Sequence, residues 1–308
     1  MVTARPRLPL LRATTLRTLG IDPEAHPRGQ PHLSAASGLV CAHGRAYVVA
    51  DDEHHLAVYR DLHRPGTLHR VAGGDLPHDA RARKRRKRDF ESLFLLSVDG
   101  LADRLVALGS GSRANRRAGA VIALDAHGVP HPEAQLFDLE PLTAPLVARF
   151  GAINIEGAFV HGTQFVLINR AADDNAGNLS LHYRSGALHE TIAGARSAIA
   201  PTRVRTHALG RIDGVELGFT DAAPLTDGGW IYSAAAESRS GSVADGPCNG
   251  SAIGIVDANG VLQAQRALAS PLKIEGLAVR SRTGGLDLCL VSDADDPDQP
   301  SCLLRARW

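Results

Sequence analysis

Three short stretches set a glutamate between apolar neighbours at the head of a hydrophobic run: DFESLF at 89–94, NIEGAF at 154–159 and KIEGLA at 273–278. A carboxylate is costly to bury unless something offsets its charge. Glu91, Glu156 and Glu275 therefore either stand at a solvated opening or share a partner. Two hydroxyl residues hold matching places, Ser37 in ASGLVC (36–41) and Thr220 in FTDAAP (219–224). Together the five offer the oxygen donors that a hard cation takes. Ca²⁺ accepts roughly 6–8 oxygens in flexible geometry, whereas Mg²⁺ demands a small octahedral shell. The expected ligands of one calcium ion are thus Ser37, Glu91, Glu156, Thr220 and Glu275, and the competing reading is three wet glutamates that bind nothing.

The elements that would position them repeat. Successive anchors are separated by 54, 65, 64 and 55 residues. Each is followed by a strand-like run, such as AYVVADD at 46 or WIYSAAAE at 230, and then by a third, such as HLAVYR at 55 or GAVIALD at 119. Fourth runs are TLHRVAG at 67, AQLFDLE at 134, ALHETIA at 187 and VLQAQRA at 261. The last unit ends at Trp308 without one, and LRATTLRTL (11–19) is left over to supply it. The expectation is an all-β chain, a single five-bladed β-propeller with four antiparallel strands per blade, closed by an N-terminal strand. Its units start near 34, 88, 153, 217 and 272 of one domain spanning 1–308. Two separate β-sandwiches would leave the repeated anchor unexplained. In a propeller the innermost strands line one axis, so the five anchors would point at it together.

The expected rim is basic. Loops between second and third strands hold GSGSRANRR (109–117), NRAADDN (169–175) and ESRSGS (237–242), which places Arg113, Arg170 and Arg239 alike. The loop into the second unit is DARARKRRKRD, ending in Arg88. A guanidinium fork suits phosphate or carboxylate, so these four arginines are the expected anion binders. The plain alternative is a solvated basic loop. No aromatic platform interleaves it, which argues against nucleic acid. DDEHH (51–55) and DADDPD (293–298) lack the EF-hand pattern and supply Asp51 and Asp293 as candidate catalytic carboxylates. No GxSxG elbow and no phosphate-binding P-loop is present.

Composition narrows the class. Apolar residues make up 44% and aromatics 4%, so aliphatic side chains must fill the core, and a net charge of +1 argues against coating a polyanion. No apolar run is long enough to span a bilayer, and arginines interrupt the N-terminus, so a cytoplasmic location is expected. The four cysteines show no CxxC spacing. Cys41 and Cys289 read as small hydrophobes, with Cys289 and Cys302 able to face each other on a hairpin.

The anchors resemble those of the calcium-activated nucleotidases (soluble apyrases), five-bladed propellers with Ser, Glu, Glu, Ser and Glu around a central Ca²⁺. SGLVCAHGRAYVVADDEHHLAVY (37–59) and GFTDAAPLTDGGW (218–230) are the stretches most similar, with Thr220 in place of one Ser. Glu275-Gly276-Leu277 also resembles propellers described as the esterase-like domain of phytase. The resemblance implies a calcium-dependent hydrolase of an anionic phosphate ester or anhydride, but it does not carry the family's full set of catalytic acidic residues onto this chain. A non-catalytic propeller that docks a ligand or protein, and a metal-dependent esterase or lactonase, are the alternatives.

Overall fold

The computed structural model describes residues 8–98, 100–171, 177–238 and 248–308. Five antiparallel sheets stand around one axis as blades. Their innermost strands are Ala36–Ala42, Phe90–Leu96, Ile155–His161, Val215–Pro224 and Lys273–Arg282. The fifth blade takes its outer strand, Ala13–Thr18, from the start of the chain, antiparallel to Cys302–Arg307, as expected. Just before it, Leu10–Leu11 pairs in parallel with the outer strand of blade four, Leu262–Leu268, so the N-terminal segment ties the last two blades together.

Each blade is sandwiched between two others, and this explains why strands such as Arg45–Ala50 and His55–Tyr59 are apolar on both faces. The buried side chains form five clusters, one in each gap. Phe94, Leu108 and Phe165 join blades two and three, and Leu39, Val48, Val291 and Leu303 join blades five and one. At about 25 cal/mol per Å² of apolar surface buried, these gaps supply the main drive for ring closure.

The spacing of the anchors is reproduced with a common local geometry. In every innermost strand the register slips across the anchor: between Ala36 and Gly38, Phe90 and Ser92, Ile155 and Gly157, Phe219 and Asp221, and Ile274 and Gly276. A bulge bends its strand and re-aims one side chain. The residue after each bulge then meets the next blade. A Cβ on Gly38 would lie 2.8 Å from the Leu93 nitrogen, and one on Gly157 2.9 Å from that of Ala222. Asp221 fills the same place by accepting the Leu277 N–H at 2.7 Å. The N–H before the bulge is held too, by Ser301 for Ala36, Asn178 for Phe219 and Ser251 for Ile274.

Three short helices lie outside the strand plan. The basic run is a helix rather than a loop: α1 (Ala80–Arg86), capped by Asp79, which accepts the Ala82 N–H at 2.7 Å. Helix α2 (Glu140–Phe150) packs Leu142 and Leu146 over the gap between blades two and three. ALHETIA, expected as the outer strand of blade three, forms α3 (Gly186–Ile192), and Arg203–His207 takes the strand position instead. After it, Arg211–Ile212 turns back on Val215 and Glu216 as a short hairpin. Among the described residues no helix is long and apolar enough to cross a membrane.

Gly157→Ala should cost about 1–3 kcal/mol, because the obstructing atoms belong to the backbone of blade four. Denaturant unfolding of the variant measures it. Gly162→Ala, in open space but at a positive φ of 56°, serves as the control for backbone strain alone.

Candidate functional site

The bulges set the five anchors at equivalent places, and within the protein each has its own partners. Ser37 Oγ donates to the Phe90 carbonyl at 2.5 Å and Thr220 Oγ1 to the Ile274 carbonyl at 2.6 Å. Both hydroxyls therefore staple one innermost strand to the next. Glu275 receives Lys273 Nζ at 2.9 Å. Glu156 accepts from Asn154 and has Arg170 at 3.8 Å. Glu91 stands apart from these, with Asp51 and Asp89: one oxygen from each of the three lies within 4.8 Å of the others.

The residues beside the anchors come from equivalent positions. Asp89, Asn154 and Lys273 each sit two residues before a glutamate anchor. The triplets DFE, NIE and KIE carried that signal. Asp89 is 2% exposed and has a left-handed backbone, φ 59°, a costly conformation for a non-glycine residue that is concentrated at functional sites. Its carboxylate takes Lys87 Nζ at 2.8 Å, Arg116 Nη1 at 2.7 Å and the Ser110 hydroxyl at 2.5 Å. Lys87 also contacts Asp51.

The basic groups that reach the axis are only partly those expected. Helical spacing turns Arg83 and Lys87 to one side of α1, where both are buried. Arg88 is half-buried with its charge near His54; Lys87 takes the inward place. Arg113 is exposed, and the arginine of this loop that turns inward is Arg116, which pairs with Asp89. Arg170, expected on the rim as an anion binder, is buried and bonded to Glu237 at 2.6 Å across a gap that Gly218 leaves open. Arg239 lies outside the described residues. Lys273 completes a second network, with Glu237 and Asp295 both at 2.7 Å.

DDEHH divides between two tasks. Asp51 turns to the axis. Asp52 and Glu53 bind Arg28 at 2.9 and 2.8 Å, and Glu53 also meets His26 at 3.0 Å. Above the axis Asp51, Asp52, Asp293 and Asp295 line one cavity of about 280 Å³ with Arg83, Lys84 and Lys87. The two expected catalytic aspartates are thus brought together.

Carboxylates outnumber the cations among them, and their ionisation shows it. Burial pushes Glu91 well above the usual carboxylate range, and Asp89, Asp51 and Glu156 push it further. Burial raises Glu156 to about 8 against the pull of Arg170, and Glu275 to about 7 against Lys273. Asp293 is likewise held well up by burial despite Lys273. Burial also acts on Asp51, but Lys87 overrides it and keeps that group low and ionised. Asp52 is raised to about 6 by burial and by Asp51.

A family model described as "Family of unknown function (DUF6929)" matches residues 32–307. Among solved structures the chain is similar to regucalcin, a calcium-binding protein of Agrobacterium tumefaciens, at 12% identity over 97% of this chain and 95% of that one, TM-score 0.44. It is similar to a putative glycoside hydrolase of Parabacteroides distasonis at 10% identity over 99% and 95%, TM-score 0.47. The α-L-arabinanase of Cellvibrio cellulosa complexed with arabinohexaose gives 11% over 88% and 91%, TM-score 0.46. At these values the likenesses carry no argument about site or reaction. No curated protein matches the chain in sequence.

A folded-state pKa raised above the ordinary 4.5 means stability that is present below that value and lost as pH rises through the raised one. With chelator present, stability should therefore fall between about pH 4.5 and about 8, through Glu275 and Glu156, by at most about 1.4 kcal/mol per pH unit for each group. Thermal melts across that range check this, and Glu275→Gln should flatten the slope. A melting temperature that rises over the same window would refute the crowding.

Proposed function

We propose, for a chain that belongs to this family of unknown function, that the axial mouth is a cation-assisted hydrolytic site for a small anionic ester, a phosphate ester first. One observation carries the reading: Asp51, Asp89 and Glu91 bring three carboxylate oxygens within 4.8 Å beside a cavity that a small molecule can enter. Ca²⁺ held by those three would supply Lewis-acid polarisation of a phosphoryl oxygen. Of the five expected ligands this proposal keeps Glu91, because Glu156 and Glu275 lie beside Arg170 and Lys273 and the two hydroxyls donate to backbone carbonyls.

The remaining chemistry belongs to the aspartates that line the cavity. Carboxyl groups whose environments drive their pKa values apart divide into acid and base. Asp293, held protonated by burial, is placed to donate to a leaving oxygen. Asp51 is taken up by the cation group, and Asp52, at about 6 with a buried Oδ1 that accepts no hydrogen bond, is placed to take a proton from water. Arg83, which pairs with Asp52 at 3.2 Å, and Lys84 set two positive charges among the aspartates of the cavity wall.

A second reading rests on Lys87. Its ammonium already bridges Asp51 and Asp89 and can stand where a cation would, which makes the mouth a rigid docking surface without turnover. Phosphate release from a panel of phosphate esters separates the two. The hydrolytic reading expects release that chelator abolishes and that Asp293→Asn lowers by about 10²–10⁴-fold. A folded chain that releases nothing would leave the docking reading, and turnover confined to carboxylic esters or lactones would move the site to that substrate class.

A further inference from the structure

The far end of the barrel holds chemistry that the mouth does not use. Cys41 lies four residues past the Ser37 anchor, about 13 Å along the innermost strand of blade one. Cys289 lies in the second strand of blade five, opposite Ala278 in register. Cys302 stands opposite Ser292 and Cys289 opposite Arg305, so these two cysteines do not face each other on the hairpin. The neighbours of Cys289 are instead across the gap between blades: its side chain packs with Leu39, Ala46 and Val48 of blade one, and Cys41 lies near enough to act on its ionisation. This gap is the seam of the ring, where the chain has just closed blade five and enters blade one.

Both thiols open on a cavity of about 650 Å³ that is also lined by His43, Arg45, Arg280 and Arg305. Cys41 is exposed there and Cys289 half-buried. Arg280 is exposed and has no ion-pair partner among the described residues, while Arg45 donates to the Gly128 carbonyl and Arg305 to Asp287. The other two cysteines lack such a setting, since Cys248 and Cys302 each donate to a carbonyl two residues away in sequence.

We propose that Cys41 and Cys289 form a thiol–disulfide exchange site, which takes a small anionic disulfide such as oxidised glutathione into this cavity and closes as a Cys41–Cys289 disulfide across the seam. Cys289 is the attacking group. The nearness of Cys41, together with the charge of Arg305, holds it at about 7 despite burial, while Cys289 in turn raises Cys41. The Cys289 thiolate attacks one sulfur of the small disulfide, and one glutathione leaves as its thiol. Cys41 then attacks the Cys289 sulfur of the mixed disulfide and expels the second. Two protein thiols become one disulfide, and the small disulfide becomes two thiols that carry the hydrogens lost from the protein. The arginines hold the carboxylates of the small disulfide.

The test treats the full chain with oxidised glutathione at neutral pH, quenches with acid and maps the peptides by mass spectrometry. The expected product links the Cys41 and Cys289 peptides, is lighter by two hydrogens, and forms at least about tenfold faster than any adduct on Cys248 or Cys302. Cys41→Ser should instead accumulate glutathione on Cys289. Arg280→Ala should slow the reaction with oxidised glutathione but leave that with the uncharged hydroxyethyl disulfide unchanged. Absence of the cross-link in the folded wild-type chain, or equal labelling of all four cysteines, overturns the site. Equal slowing of both disulfides in Arg280→Ala overturns the anionic preference. Wild-type mapping decides the main point even if a serine variant folds poorly.

Discussion

Five strands can meet at one axis only if their backbones come very close, and the bulge at each anchor is how this chain achieves it. The slip lets Gly38, Gly157 and Gly276 present bare backbone to Leu93, Ala222 and Leu39 of the following blade. It lets Asp221 replace that contact with a hydrogen bond. The same slip fixes where the anchor points, so packing and site share one geometric cause. A carboxylate at such a position cannot retreat to solvent without undoing the bulge.

Charge follows from that confinement. Glu91, Glu156, Glu275, Asp89 and Asp293 converge, and the chain answers with Lys87, Arg116, Arg170 and Lys273 on neighbouring elements. The answer is incomplete around Glu91, where Asp51 and Asp89 add negative charge faster than Lys87 removes it. Buried ion pairs of this kind do little for net stability, because desolvation consumes most of the attraction. Their value lies in rigidity and in holding the Asp51 carboxyl low beside Asp293, which burial raises. That asymmetry is the raw material of acid–base chemistry in the cavity above.

The repeat was legible because each blade uses the same strand period and the same bulge, so Ser37, Glu91, Glu156, Thr220 and Glu275 align by spacing alone. Ring closure was legible from the unpaired run at 11–19. The residues that answer the anchors were less so. Lys273 and Asp89 could have been found from their place two residues before an anchor, but Arg116 could not be told from Arg113 in a loop without periodicity. ALHETIA carries good helix formers and buries Ala187, Leu188 and Thr191 on one helical face, which a short strand template reads equally well. The nearness of Cys41 to Cys289 was invisible, since no local spacing encodes which side chains meet across two separate sheets.

The central claim is that the axis is short of one positive charge at Glu91. Calorimetric titration of Ca²⁺ into the chelator-stripped chain, with Glu91→Gln alongside, tests it most directly. The account predicts one binding event on the wild-type chain, weakened roughly tenfold or more in the variant, with Lys87→Met binding more tightly as the internal competitor is removed. A flat titration of the folded wild-type chain would contradict it, and Lys87 and Arg116 would then be the cations that serve the cluster.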